Sequence, residues 1–224
     1  MLRHLDEELK DLHKDILQMG VLAQEAIFKS IETLKKKDVC EAREVIMTDN
    51  KIDELELTID EKCIDLIARY QPMAGDLRFI TTGMKINSEL ERIADLAVDI
   101  CQRVLELADK SIIRPVEDIS KMSVIAQEMV KDSIESFIKR DVVLARKVLT
   151  SDKLADDFRN KISDGLISEH MGCDTDVSRR AVSLLLIVRH LERICDHTTN
   201  IAEDVIYMVE GKVVKHHHEK SDSA

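Results

Sequence analysis

Glu89-Leu90-Glu91-Arg92-Ile93-Ala94-Asp95-Leu96-Ala97-Val98-Asp99-Ile100-Cys101 returns 101 residues later as His190-Leu191-Glu192-Arg193-Ile194-Cys195-Asp196-His197-Thr198-Thr199-Asn200-Ile201-Ala202. Around the first copy, Ile86, Leu90, Ile93, Ala97, Ile100, Val104 and Leu107 recur at alternating steps of four and three. That spacing puts them on one seam of an amphipathic helix. Ile187, Leu191, Ile194, Thr198, Ile201, Val205 and Met208 keep the same phase in the second copy. Off each seam lies an acid pair four residues apart, Glu91 with Asp95 and Glu192 with Asp196. Residues at that spacing are neighbours on a helix surface.

The duplication extends outward from this stretch. Met19, Val21, Ala23, Gln24 and Glu25 return as Met122, Val124, Ala126, Gln127 and Glu128, an offset of 103. Asp38, Ala42, Arg43, Asp49 and Asp53 return as Asp141, Ala145, Arg146, Asp152 and Asp156 at the same offset. Self-similarity over nearly the whole chain marks a structural repeat. In the first copy Leu5, Leu9, Leu12, Ile16, Met19, Ala23, Ile27, Ile31 and Leu34 keep helical spacing. Asp38 is placed to cap a second helix from about Val39 to Tyr70, which Pro72 and Gly75 end. The third helix carries the quoted stretch to near Lys110, and Pro115 is expected in the first turn of the fourth. The expectation is an all-α protein of two tandem three-helix bundles related by internal duplication. The first spans 1–111 and the second 115–211, with a frayed tail over 212–224.

Composition agrees with that reading. Of 224 residues, 44% are apolar and 34% charged, with only six Gly and two Pro and no Trp, a mix that favours helices over sheet. No apolar run approaches the ~20 residues that span a bilayer. The N-terminus, Met1-Leu2-Arg3-His4-Leu5-Asp6, lacks a signal-peptide core, so a cytoplasmic location is expected. Five cysteines without CxxC spacing read as buried or half-buried thiols of a reducing compartment. A net charge of −11 excludes nucleic acid or anionic lipid as a partner of the bulk surface, and attracts cations.

The acid pairs are placed to meet. Asp49 and Asp53 centre on residue 51, Glu91 and Asp95 on residue 93, and the mean of the two is Pro72, the turn itself. Asp152 and Asp156 centre on 154 and Glu192 and Asp196 on 194, with their mean at 174, again within a turn. Antiparallel hairpins folded about those turns bring four carboxylates together in each half. Like charges at this spacing destabilise a helix by a few tenths of a kcal/mol per pair. A convergent set therefore calls for something positive, either Arg92 and Arg193 or cations held by carboxylate oxygen. Because the acids lie off the seam, the sites are expected at the surface, unlike the inward Glu-x-x-His sites of ferritin-like di-iron bundles.

The duplicated E-R-I-x-D segment, the hairpin Gln71-Pro72-Met73-Ala74-Gly75-Asp76-Leu77-Arg78 and the tandem three-helix layout resemble the PhoU family of bacterial phosphate-transport regulators. The resemblance covers about residues 1–211. It implies surface multinuclear iron or zinc clusters on paired E(D)-x-x-x-D motifs. Here these map onto Asp49, Asp53, Glu91 and Asp95, then Asp152, Asp156, Glu192 and Asp196. It also implies a non-enzymatic negative regulator of the phosphate-starvation response. The implied partners are the ATPase of a phosphate ABC importer, a membrane sensor histidine kinase and a second copy of the chain. The chain departs from the pattern where the second half lacks the Gln-Pro hairpin and keeps only Arg179. Asp99 is replaced by Asn200 and Glu89 by His190, so the two sites need not be equivalent.

Two other classes compete: a carboxylate-bridged metalloenzyme and a metal-free helical scaffold. An enzyme needs a concave pocket and a positioned base, and neither a Gly-rich phosphate loop nor a nearby Ser or Cys nucleophile is evident. His190 and His197 flank the second acid pair as ligands or as packed side chains, and Asp99 and Asp204 are auxiliary ligands or solvated acids. Arg78 and Arg179 either bind a partner or pair with acids such as Asp60 and Asp164. The His216–His218 run is a chelating or a frayed segment.

Overall fold

The computed structural model describes residues 2–213 apart from 112, 171 and 173, so the His216–His218 run and Cys173 lie outside the described residues. Those residues form six long helices and no strand: α1 (Leu2–Lys36), α2 (Val39–Tyr70), α3 (Ala74–Leu107), α4 (Val116–Lys139), α5 (Val142–His170) and α6 (Thr175–Glu210). None is long and apolar enough to cross a membrane.

The helix ends follow local chemistry, and the two halves use the same devices. Asp38 accepts the backbone N–H groups of Cys40 and Glu41, both at 3.0 Å, at the start of α2. Its counterpart Asp141 accepts from Leu144 N–H at 3.0 Å in α5. Just before these caps, Lys37 and Arg140 take left-handed backbone with φ of 55° and 53°. Pro115 lies one residue earlier than expected. It precedes α4, and its carbonyl accepts the first helical N–H groups, from Asp118 and Ile119, at 3.1 and 3.2 Å. That leaves Val116 as the first helical residue. The third helix stops at Leu107 rather than near Lys110, whose N–H instead closes a turn onto the Leu107 carbonyl.

Within each half the three helices pack on one another, and a single apolar core runs through both. Phe79 of α3 stacks on Phe137 of α4 with ring centroids 4.8 Å apart. The halves join along α1 with α4 and, most extensively, α3 with α6. Gly20 lets α1 approach α4 closely, since a Cβ there would fall 2.1 Å from Ile134 Cδ1. Across the α3–α6 contact, Lys85 pairs with Asp204 at 2.7 Å, Glu89 with Asn200 at 3.1 Å and Asp99 with His190 at 3.7 Å. Positions rise on α3 as they fall on α6, so the helices are antiparallel, centred on Ala94 and Cys195. These two residues are counterparts in the repeat. Glu89–Asn200 and His190–Asp99 are likewise the same pair of positions seen from either half, which places an internal pseudo-twofold axis between the helices.

Of the cysteines, Cys63, Cys101 and Cys195 are buried free thiols, as expected, whereas Cys40 is exposed in the first turn of α2. Burial pushes the Cys63 and Cys101 thiols up to about 12, which keeps them protonated and inert.

Candidate metal centre

The first acid group lies on α2 and α3. The side-chain amide of Asn87 donates to the Glu56 carbonyl at 2.8 Å and to Asp60 Oδ1 at 3.2 Å, which sets the helix register about the Pro72 turn. In that register the charges of Asp53 and Asp95 act on Asp49 and on Glu91. Burial pushes the Asp49 carboxyl up to about 6, helped by the charges of Asp53 and Asp95. Glu91 is raised by burial and then by Asp95, Glu56 and Asp53. Asp95 is raised by burial and then by Asp53 and Asp99. Asp49 lines a small cavity of ≈ 40 Å³ together with the apolar Val45, Ile52 and Val98 and the charged Glu25, Lys29 and Glu44.

Neutralisation from within is partial here: the Arg92 charge opposes the rise at Glu91. Arg92 turns to Glu89 at 3.6 Å. Among the described residues no lysine or arginine forms an ion pair with Asp49, Asp53, Glu91 or Asp95. The donors are hard carboxylate oxygens, half in water, the chemistry that suits iron, manganese, magnesium or calcium and admits zinc. The acids line a helix surface instead of enclosing a point, and among the described residues no three His, Cys, Asp or Glu side chains are gathered tightly enough to cage one ion. Carboxylate oxygen is a donor type that takes hard cations, but as placed these side chains do not enclose one.

The second group, on α5 and α6, is built differently. Asp152, Asp196, Asp156 and Glu192 all lie near the buried Cys195 thiol, and after burial it is their charges that raise it. Between them reaches Arg159, with Nη2 3.4 Å from Asp156 Oδ1 and 3.2 Å from Glu192 Oε1. Asp196 is raised by burial and by Asp156, against the opposing pull of His197, Arg159 and Arg193. Of these carboxylates, Asp156 and Glu192 are bridged by the guanidinium of Arg159.

Four side chains read with open alternatives take partners outside the two acid groups. His197 turns away from the second group: its Nδ1 lies 2.6 Å from Glu89 Oε2 across the α3–α6 contact. His190 likewise faces Asp99, and Asp204 is engaged by Lys85. Burial opposes ionisation of Glu89, but the hydrogen bonds from His197 and Asn200 outweigh it and hold the carboxyl below the usual range. Arg78 does not reach Asp60. Its Nε donates to the Met208 carbonyl at 3.1 Å, satisfying a free acceptor in the last turn of α6.

Comparison with known proteins bears on what such a pair of acid groups belongs to. The PhoU domain family matches residues 16–104 and again 119–205. Over 216 residues the chain is 43% identical to the phosphate-specific transport system accessory protein PhoU homolog of Aquifex aeolicus, covering 96% of this chain and 97% of that protein. The chain belongs to the PhoU family. Its fold is likewise that of a crystal structure of PhoU from Pseudomonas aeruginosa, with a TM-score of 0.87 at 33% identity over 92% of this chain and 99% of the other. The phosphate transport system regulatory protein PhoU from Streptococcus pneumoniae gives the same TM-score at 27% identity, covering 94% and 99%.

In this PhoU chain the reading by acid pairs overlooked two residues, Glu56 and Arg159. They hold the same place in the repeat, one turn beyond Asp53 and Asp156. The signal was present in the offset of 103, but as a mismatch in an alignment searched for matches.

Proposed function

We propose that this PhoU chain is the accessory regulator of a phosphate transport system and works as a cation-carrying adaptor. Its relatives are named as accessory or regulatory proteins of phosphate transport, not as enzymes. In this reading it links the ATPase of a phosphate ABC importer to a membrane sensor histidine kinase in the cytoplasm. When phosphate is plentiful it silences the starvation response. The carboxylate groups on the α2–α3 and α5–α6 hairpins hold polyvalent cations, multinuclear iron or zinc by family resemblance, and a second copy of the chain can pair with the first.

The observation that favours the cation reading is in the first group, where burial and the charges of Asp53 and Asp95 push the Asp49 carboxyl up to about 6. A cation bound by carboxylates from one side keeps coordination positions open to phosphate oxygen or to a partner's side chain. That gives an adaptor a way to sense without catalysing.

Deleting the protein from its host should switch phosphate-starvation genes on in phosphate-rich medium. Re-expressing the wild type should silence them and co-purify the importer ATPase. Unchanged expression after deletion contradicts the regulatory reading.

A further inference from the structure

The two hairpins share a fold but not a surface charge. On the second, Arg159 and Ser163 of α5 and Arg189 and Arg193 of α6 are two pairs at i,i+4 spacing, each on one helix face. Arg159 Nη2 lies 3.2 Å from Glu192 Oε1, which fixes the register of the two helices. One turn nearer the hairpin turn, Ser163 then comes level with Arg189. The four side chains line one open groove of ≈ 570 Å³, whose apolar lining is Leu185 and Val188. Three guanidinium groups thus share one groove of a chain whose net charge is −11.

The repeat supplies a reference for that charge. At the counterpart positions of the first half stand Glu56, Asp60, Ser88 and Arg92, of which only the last is basic. Every difference moves the second groove toward positive charge, while Glu91 and Asp95 are kept as Glu192 and Asp196. Those two acids leave most of the positive charge unmatched. Glu192 is taken by Arg159, and Asp196 lies about two turns further from the hairpin turn than Arg189. Arg189 and Arg193 are exposed, and among the described residues neither forms an ion pair with a carboxylate. Like charges at that spacing repel one another, a cost that a bound anion reverses. Arg159 Nε is buried with no hydrogen-bond partner. A donor enclosed without an acceptor is costly, so the head group gains by turning toward an acceptor that enters the groove.

We propose that this groove is an oxyanion site that takes a phosphate group among Ser163, Arg189 and Arg193, with Arg159 at its edge. A guanidinium presents a planar fork of N–H donors that matches phosphate oxygens two at a time. The Ser163 hydroxyl can donate a further hydrogen bond. The ligand is free orthophosphate or the phosphate group of a larger molecule, since the same side chains recognise both and the groove has room for either. The inference does not rest on the cation reading, because its donors are guanidinium and hydroxyl groups and no metal takes part. The equivalent surface of the first half carries Glu56 and Asp60 and repels the same ligand, so one site per chain is expected.

The test is calorimetric titration of the full chain in chelator at constant ionic strength, with orthophosphate, a nucleoside triphosphate and acetate as probes. Chelator removes any metal that could bridge phosphate to the carboxylates, so a failure of the cation reading leaves the result untouched. The wild type should bind a phosphate probe at one site per chain, and acetate at least about tenfold more weakly. Arg189→Ser and Arg193→Ala, both at exposed positions and checked for unchanged helicity, should each weaken phosphate binding by about tenfold. Ser163→Asp should abolish it by installing the first half's charge, whereas Arg92→Ala on the first hairpin should leave it unchanged. Binding of the nucleoside triphosphate alone, with the same dependence on Arg189, supports the site and identifies a larger molecule as the source of the phosphate. The proposal is overturned if neither phosphate probe binds at millimolar concentration, if binding survives Arg189→Ser combined with Arg193→Ala, or if acetate binds as tightly as orthophosphate.

Discussion

Asp49 is the residue in which the electrostatics of the first group are most concentrated. Burial and the charges of Asp53 and Asp95 lift its carboxyl from 3.8 to about 6. The folded chain therefore holds that proton more tightly than the unfolded chain does. As pH rises from about 4 to about 6 the folded state binds more protons than the unfolded state, so stability falls, and above 6 the full cost is in force. Glu91 and Asp95 are raised as well and act in the same sense. Glu89, whose carboxyl is lowered, acts in the opposite sense, so the informative quantity is the difference between wild type and Asp49→Asn. Because Asp49 is partly open to water, its contribution is discounted for solvent screening. In chelator the wild type should lose roughly 2–4 °C of Tm relative to Asp49→Asn between pH 5 and pH 7.5, the shift expected of about 1 kcal/mol in a chain of this size. Thermal unfolding at the two pH values measures it, and an equal pH response in both proteins contradicts the assignment.

At the scale of the element, what could be read in advance was periodicity and punctuation. The 3.6-residue spacing of Leu12, Ile16, Met19, Ala23 and Ile27 gives α1, and all five are fully buried. Asp38 with the Pro72 turn gives α2 and its register against α3. Asp95 acts on Asp49 across the hairpin, as arithmetic that depends only on helix rise and the position of the turn requires. The cross-half partners were out of reach. Nothing in the sequence says that α3 and α6 cross at Ala94 and Cys195, so Glu89 could not be named as the partner of His197, which reads as a ligand or a packed side chain. Arg78 reads as binding a partner or nearby acids, and its contact with the Met208 carbonyl spans 130 residues. The C-termini of α1 and α4 carry a local conflict that the repeat preserves: Lys37 and Arg140 are left-handed without being glycine. Glycine tolerates that backbone freely, whereas other residues are strained in it. Lys37→Gly should therefore raise stability by about 0.5–1 kcal/mol, measured by urea unfolding. Arg140→Gly should gain less, because it also removes the guanidinium that lies 5.6 Å from the Phe79 ring centroid. A loss of stability in Lys37→Gly contradicts the cap assignment.

At the scale of the whole molecule, duplication has produced one core and two unequal surfaces. The pseudo-twofold between α3 and α6 ties the two hairpins rigidly together. The account's central claim is that the first group carries cations in the folded protein. The most direct measurement is the metal content of untagged protein purified without an affinity metal column, wild type beside Glu91→Ala/Asp95→Ala, by plasma mass spectrometry with helicity monitored in parallel. The wild type should carry bound iron or zinc, and the double variant should lose most of it while remaining folded, since removing two repelling carboxylates leaves the apo fold no less stable. Full metal loading in the double variant, or a wild type free of metal, would contradict the account.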